Sequence, residues 1–220
     1  MLYSIMHPLL EEYNIKGIDD LMDSFRTNCT NSDYVQKVEE MYNADKKIRE
    51  KCEVQVFKTV DSVTLDAFVY RPEGSKSGEK RPAVAFFHGG GWYLGKPEWG
   101  DWQCEHFASL GFVAISFEYR LRDQHRATPV EGIADAKSAI RWMRQHANDL
   151  GIDPQKIVAS GFSAGGHLAA CTVMIDQFDE PDEDPGISSA ANALMLWSTP
   201  MKIFGNNSWF RQILQGKASS

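Results

Sequence analysis

One serine in this chain stands where its hydroxyl can act as a nucleophile. Ser163 lies in Gly161-Phe162-Ser163-Ala164-Gly165-Gly166, a G-x-S-x-G pattern between the apolar run Ile157-Val158-Ala159 and the helix-like run 167–175. In that context a strand ends, the backbone turns sharply at the serine, and a helix begins at once. Glycines at positions 161 and 165 remove side chains that would collide across so tight a turn. The free N–H groups of the helix that follows favour negative charge developing beside the hydroxyl. A second pattern, His88-Gly89-Gly90-Gly91-Trp92, closes an earlier apolar run. Consecutive glycines leave the backbone bare, so its N–H groups can face a ligand. A nucleophile and preorganised donors for a tetrahedral oxyanion are the parts that acyl transfer requires. The donors are expected from the N–H of Ala164, directly after the nucleophile, and from the glycine loop.

Other segments must hold these two motifs in place. Residues 54–60 and 63–70 alternate in polarity around Asp61-Ser62, which predicts a hairpin of half-buried antiparallel strands. Residues 71–80 read as a solvated loop. The continuous apolar runs 82–87 and 111–117 suit central parallel strands buried on both faces. A long helix is expected over 129–150, with Ile133, Ala136, Ile140, Met143 and Ala147 as its apolar stripe and its charges opposite. Gly151-Ile152-Asp153-Pro154 should end that helix, Lys156 should open the strand into the serine turn, and 192–198 form a last strand. The carboxylates of 179–186 lack regular ligand spacing, so that stretch reads as a solvated acidic turn rather than a calcium site. The fold class is α/β: a mostly parallel sheet with helices on both faces. Residues 1–50 form a polar, helix-rich lead and 51–220 the core domain. In the lead, Leu9, Leu10 and Tyr13 share one helical face, and Val35, Val38, Met41, Tyr42 and Ile48 recur at helical spacing. The lead is either an amphipathic packing segment or part of a cap, and nothing in the sequence separates the two.

At this point the sequence resembles the α/β-hydrolase superfamily, in particular the esterase/lipase branch related to hormone-sensitive lipase and to small acetyl and feruloyl esterases. The resemblance rests on residues 88–92 and 161–166, on Glu118-Tyr119-Arg120-Leu121, and on Asp135 in the helix before the serine turn. It implies Ser163 as nucleophile and Gly90, Gly91 and Ala164 as the oxyanion hole, with His88, Gly89 and Trp92 supporting the loop. Phe162 stands where many lipase-like members have Asp, which moves the reading toward the acetyl- or feruloyl-esterase-like relatives. In such enzymes an acid and then a histidine follow the serine. Here His167 alone follows Ser163, four positions along the departing helix, and is expected to point away from the hydroxyl. The C-terminal strands and the triad acid and base are therefore expected to be missing from these 220 residues.

Composition narrows the remaining classes. A formal charge of −7 argues against nucleic acid or an anionic membrane surface as partner. No apolar run approaches the ~20 residues of a membrane span. Cys29, Cys52, Cys104 and Cys171 lie far apart, and residues 1–8 lack a basic start and a sustained apolar stretch. The chain is thus expected to be cytoplasmic with reduced thiols. No cluster has metal-ligand spacing, and neither metal nor cofactor is expected. The expected partner is a small ester substrate, with short-chain acyl, sugar acetate or feruloyl groups all open. A homo-oligomer or a complementing C-terminal chain stays open as well. A carboxylesterase acting through an acyl-serine is the first reading. A ligand-binding pseudoenzyme on the same scaffold and a serine peptidase are the alternatives. Trp92, Tyr93, Trp99 and Trp102 line either a substrate pocket or packing.

Overall fold

The computed structural model describes residues 18–76 and 78–201. Leu9, Leu10, Tyr13 and the sequence after Met201 lie outside them. The chain divides into two compact units, Met1–Cys52 and Glu53–Ser220.

In the first unit, α1 (Ile18–Asn28) and α2 (Ser32–Lys51) are joined by a short turn. Asn31 caps α2, its Oδ1 accepting the N–H groups of Asp33 and Tyr34 at 3.1 Å each. Met22, Val38 and Tyr42 are buried together with Phe25 against them. Val38 and Tyr42 belong to the expected stripe. The side chains of Met41 and Ile48 lie outside the description.

The second unit is built on a six-stranded sheet, order β1-β2-β4-β3-β5-β6. The expected hairpin is present as β1 (Glu53–Val60) and β2 (Val63–Tyr70), paired antiparallel. A bulge between Val56 and Lys58 breaks the alternation, so consecutive Phe57 and Lys58 are both buried. Next come β3 (Arg81–Phe87), a 3₁₀ turn (Pro97–Gly100), α3 (Asp101–Ser109) and β4 (Val113–Phe117). They are followed by a single turn α4 (Arg122–His125), α5 (Pro129–Gln145), α6 (Ala147–Leu150), β5 (Ile152–Phe162), α7 (Ala164–Met174) and β6 (Ala193–Trp197). β2 meets β4 antiparallel, whereas β3 runs parallel to both β4 and β5, and β5 parallel to β6.

Helices cover both faces of the sheet. Ala83, Ala85, Phe87, Ile115 and Phe117 join Ile133, Ile140 and Met143 of α5 and Leu168 of α7 in one core. On the other face, Ser116 Oγ donates to the Pro97 carbonyl at 2.8 Å, and Gly100 fits directly against Phe86. Aromatic rings fill the first core edge to face: Phe57 on Phe117 at 5.0 Å, and Phe117 on Trp142 at 6.0 Å. Each such ring contributes roughly 1.5–3 kcal/mol through burial.

Four expectations are corrected. The helix over 129–150 breaks near His146 into α5 and α6, and β5 begins at Ile152 instead of at Lys156. Three charges of α5 do not face water: Asp135, Lys137 and Arg141 are buried beside the apolar stripe. The acidic stretch 179–186 is not simply a solvated turn, because it supplies the partners for those charges. Lys137 Nζ donates to the carbonyls of Ile175 (2.9 Å) and Gln177 (2.8 Å) and to Asp179 (2.6 Å). Arg141 pairs with Asp179 at 2.6 Å and with Glu183. Alongside, Lys58 bridges Asp135 (2.6 Å) and Glu180 (2.7 Å), and Arg120 bridges the same two carboxylates at 2.8 and 2.6 Å. Four cations meet four carboxylates, so the buried charge is balanced.

Candidate active site

The strand order sets β3 and β5 side by side, and both motifs leave their C-terminal ends. Phe87 and Gly161 are partners in the ladder, so the glycine loop and the serine turn start from one rung. Ser163 has φ 53 and ψ −115, a conformation that L residues adopt only under constraint. Several contacts supply the constraint. The Ser163 N–H donates to the Trp197 carbonyl at 2.9 Å, and the His167 N–H donates to the Ser163 carbonyl at 3.1 Å. The glycines are sterically obligatory. A Cβ on Gly161 would lie 2.5 Å from the Gly165 carbonyl carbon, and one on Gly165 would lie 2.0 Å from the Phe87 carbonyl oxygen. A Cβ on Gly166 would lie 2.1 Å from Thr199 Oγ1. The half-buried Ser163 side chain makes no capping bond to α7. Ala164, buried, opens that helix, so its N–H has no acceptor one turn back.

The glycine loop closes on the same spot. A Cβ on Gly89 would lie 3.6 Å from Ser163 Cβ and 3.0 Å from the Phe162 ring. Gly90, Gly91 and Trp92 all take positive φ (126, 66 and 59), and the Gly90 carbonyl accepts the N–H groups of Tyr93 (3.1 Å) and Leu94 (3.2 Å). Trp92 is buried with its ring edge-on to His167 at 5.1 Å. Tyr93, Trp99 and Trp102 are exposed. Among the sequence-identified residues, the structure therefore brings Ser163, Ala164 and Gly89 together, with Gly90 and Gly91 in the turn that follows.

His88 is fully enclosed. Its Nδ1 lies 2.6 Å from the Gly89 carbonyl, and its ring stacks on Tyr119 at 4.4 Å. Burial lowers the imidazole to about 4, against the opposing bond to Gly89, so the ring is neutral at pH 7. An unfolded histidine titrates near 6.5, so between about 6.5 and 4 the unfolded chain binds more protons and stability falls with acidification. Burial alone would raise the Asp179 carboxyl, but bonds from Lys137, Ser189 and Arg141 outweigh it and hold it at about 2. Its contribution is complete above about pH 4 and is lost as pH drops toward 2. Urea-unfolding midpoints should decline from about pH 6.5 to 4 and drop again below 4. A flat profile down to pH 4.5 would contradict the buried neutral imidazole.

No other described histidine approaches the serine as a base. His167 lies between Trp92 and Cys171, with its nitrogens 3.7–3.8 Å from the Cys171 sulfur. His125 Nδ1 accepts the Leu121 N–H at 2.9 Å, His146 packs on Trp142, and His106 stacks on Trp102. His7 lies outside the described residues. Among the described residues no group of at least three His, Cys, Asp or Glu side chains could hold a metal ion.

Sequence reading missed Gly95, Trp197 and Thr199, and gave Tyr119 no role of its own. Gly95 has φ 138, and a Cβ there would strike the His88 ring at 2.3 Å. A glycine spaced after the triple-glycine run was the available signal. For Trp197 and Thr199 none existed, because their contacts are across the sheet.

Known proteins resemble this chain in sequence and in fold. The BD-FAE family profile matches residues 66–200. Carboxylesterase NlhH of Mycobacterium tuberculosis is 38% identical over 90 residues, 40% of this chain and 28% of that protein. The ethyl acetate hydrolase of Pseudomonas putida is 35% identical over 120 residues, 54% of this chain and 36% of that protein. Among solved structures, apo Thermogutta terrifontis esterase 2 superposes with a TM-score of 0.70 at 48% identity, covering 74% of this chain and 62% of that one. The chain thus spans about a third or less of these curated relatives' length. The serine turn and glycine loop lie within the matched residues, and the chain belongs to the BD-FAE family of α/β-hydrolase esterases and lipases.

Proposed function

We propose that this chain carries the nucleophile and oxyanion hole of a serine carboxylesterase. The observation that carries the reading is the approach of Gly89 to Ser163, 3.6 Å between the glycine's Cβ position and the serine Cβ, with Ala164 opening α7 beside them. Ser163 Oγ attacks the ester carbonyl carbon, and the carbonyl oxygen takes up the negative charge. The N–H groups of Ala164, Gly90 and Gly91 receive that charge in a site whose dipoles are already oriented. Collapse expels the alcohol and leaves an acyl-serine, which water then hydrolyses. Since no described histidine bonds the hydroxyl, the proton leaving Ser163 goes to a group outside the described residues. Short-chain acyl esters are the proposed substrates.

The Thermogutta esterase has been seen phosphonylated by cyclosarin and phosphorylated by paraoxon, which suggests the test. The full-length protein is treated with a fluorophosphonate and digested, and adducts are located by mass spectrometry; these 220 residues alone are expected to label weakly or not at all. The adduct is expected on Ser163 and absent from Ser163→Ala. An unlabelled Ser163 in the full-length protein would refute the esterase reading. A ligand-dependent rise in melting temperature alongside it would favour the binding-protein reading, which the lack of a described base supports.

A further inference from the structure

Tyr119 touches neither the serine nor a substrate position, yet it grips the root of the glycine loop from the neighbouring strand. It follows β4 by two residues and is buried. Its ring stacks on His88 with centroids 4.4 Å apart and planes 22° apart. Its hydroxyl donates to the His88 carbonyl at 2.9 Å and lies 3.4 Å from His88 Nδ1. That Nδ1 in turn bonds the Gly89 carbonyl at 2.6 Å, and Gly89 abuts Ser163. We infer that Tyr119 is a positioning residue for acyl transfer, holding His88 and hence the oxyanion loop in register with Ser163; this rests on the esterase reading above.

Tyr119 is itself fixed from behind. The next residue, Arg120, donates its backbone N–H to Asp135 Oδ2 at 2.8 Å and clasps the same carboxylate through its guanidinium. The ring therefore stands between an ionic anchor and the loop. A residue present only to fill space would not need the hydroxyl, since phenylalanine has the same ring. The hydroxyl is committed to a buried carbonyl that would otherwise lack this donor. Burial pushes the phenol well above its ordinary range, so it stays protonated and remains a donor.

The experiment compares the full-length protein with its Tyr119→Phe variant, which keeps the stack and removes the bond. Hydrogen exchange is followed on residues 88–94, and fluorophosphonate labelling is resolved into a limiting rate and a half-saturation concentration. Exchange in 88–94 is expected to quicken about tenfold, and the limiting rate to fall about tenfold at unchanged half-saturation. Unchanged exchange in the loop would overturn the inference, as would faster exchange with an unaltered limiting rate. If wild-type Ser163 takes no label, the esterase reading fails. The exchange data then still decide the structural half, faster exchange supporting the hold on the loop and unchanged exchange refuting it.

Discussion

Gly165→Ala is expected to abolish the site while a neighbouring glycine accepts the same change. The added methyl would sit 2.0 Å from the Phe87 carbonyl oxygen and 2.4 Å from that of His88. Both are backbone atoms at the end of a central strand, so neither can swing aside. Relief requires α7 to move off β3 or the serine turn to unwind. Overpacking of this kind costs about 3 kcal/mol, and a unit of this size then melts about 10 °C lower. The chemical penalty is of similar size, because displacing reacting groups by an ångström can cost about a hundredfold. Fluorophosphonate labelling should slow by at least that factor. Gly132 provides the contrast. A Cβ there meets Leu168 and Tyr119 at 3.5 Å, an ordinary contact inside α5. Gly132→Ala should gain up to about 1 kcal/mol from helix propensity and leave labelling intact. Equal behaviour of the two variants would contradict the close packing of α7 on β3.

Asp135→Ala should be the most destabilising change among the charged residues. The carboxylate is fully buried and bonds Lys58, the Arg120 guanidinium and the Arg120 backbone N–H. Without it, buried Lys58 and half-buried Arg120 share Glu180 as their one remaining carboxylate, and the Arg120 backbone N–H loses its acceptor. Removing one partner of a buried ion pair costs about 3–5 kcal/mol, because the remaining charge stays desolvated. A lowered urea midpoint with unchanged slope is the expected record. Glu53→Gln, which breaks the half-exposed pair with Arg71 at 3.1 Å, should shift stability by less than about 1 kcal/mol. If the two substitutions cost the same, the buried quartet is not a net anchor.

The parts of this fold that could be read from the sequence are those governed by local rules. Period-two alternation marked the β1–β2 hairpin, and unbroken apolar runs marked β3 and β4. The glycines of the serine turn are legible because their necessity is steric and their partners follow within a few residues. The burial of Lys137 and Arg141 is not legible in this way. Each has helix-surface chemistry, and the carboxylates that neutralise them lie some forty residues downstream, on a segment whose composition alone suggests solvent. The same holds for Lys58, which the bulge in β1 turns inward toward Asp135. The neutral state of His88 depends on enclosure by Tyr119 and Gly95, and no pattern in the sequence reports enclosure.

The direct pairing of β3 with β5 has a kinetic consequence. The glycine loop and the serine are made early and late in the matched region, and the β3–β5 ladder, ending in the Phe87–Gly161 rung, brings them together. Everything between, including α3, β4 and α5, must be looped out before that rung can close, and such non-local closure is slow relative to hairpin or helix formation. A nascent chain ending before β5 has the glycine loop but not the serine turn, and the two come together when the strand docks. Reactivity toward a serine-directed phosphonate would thus be a clock for central-sheet assembly, blind to the earlier folding of the hairpin.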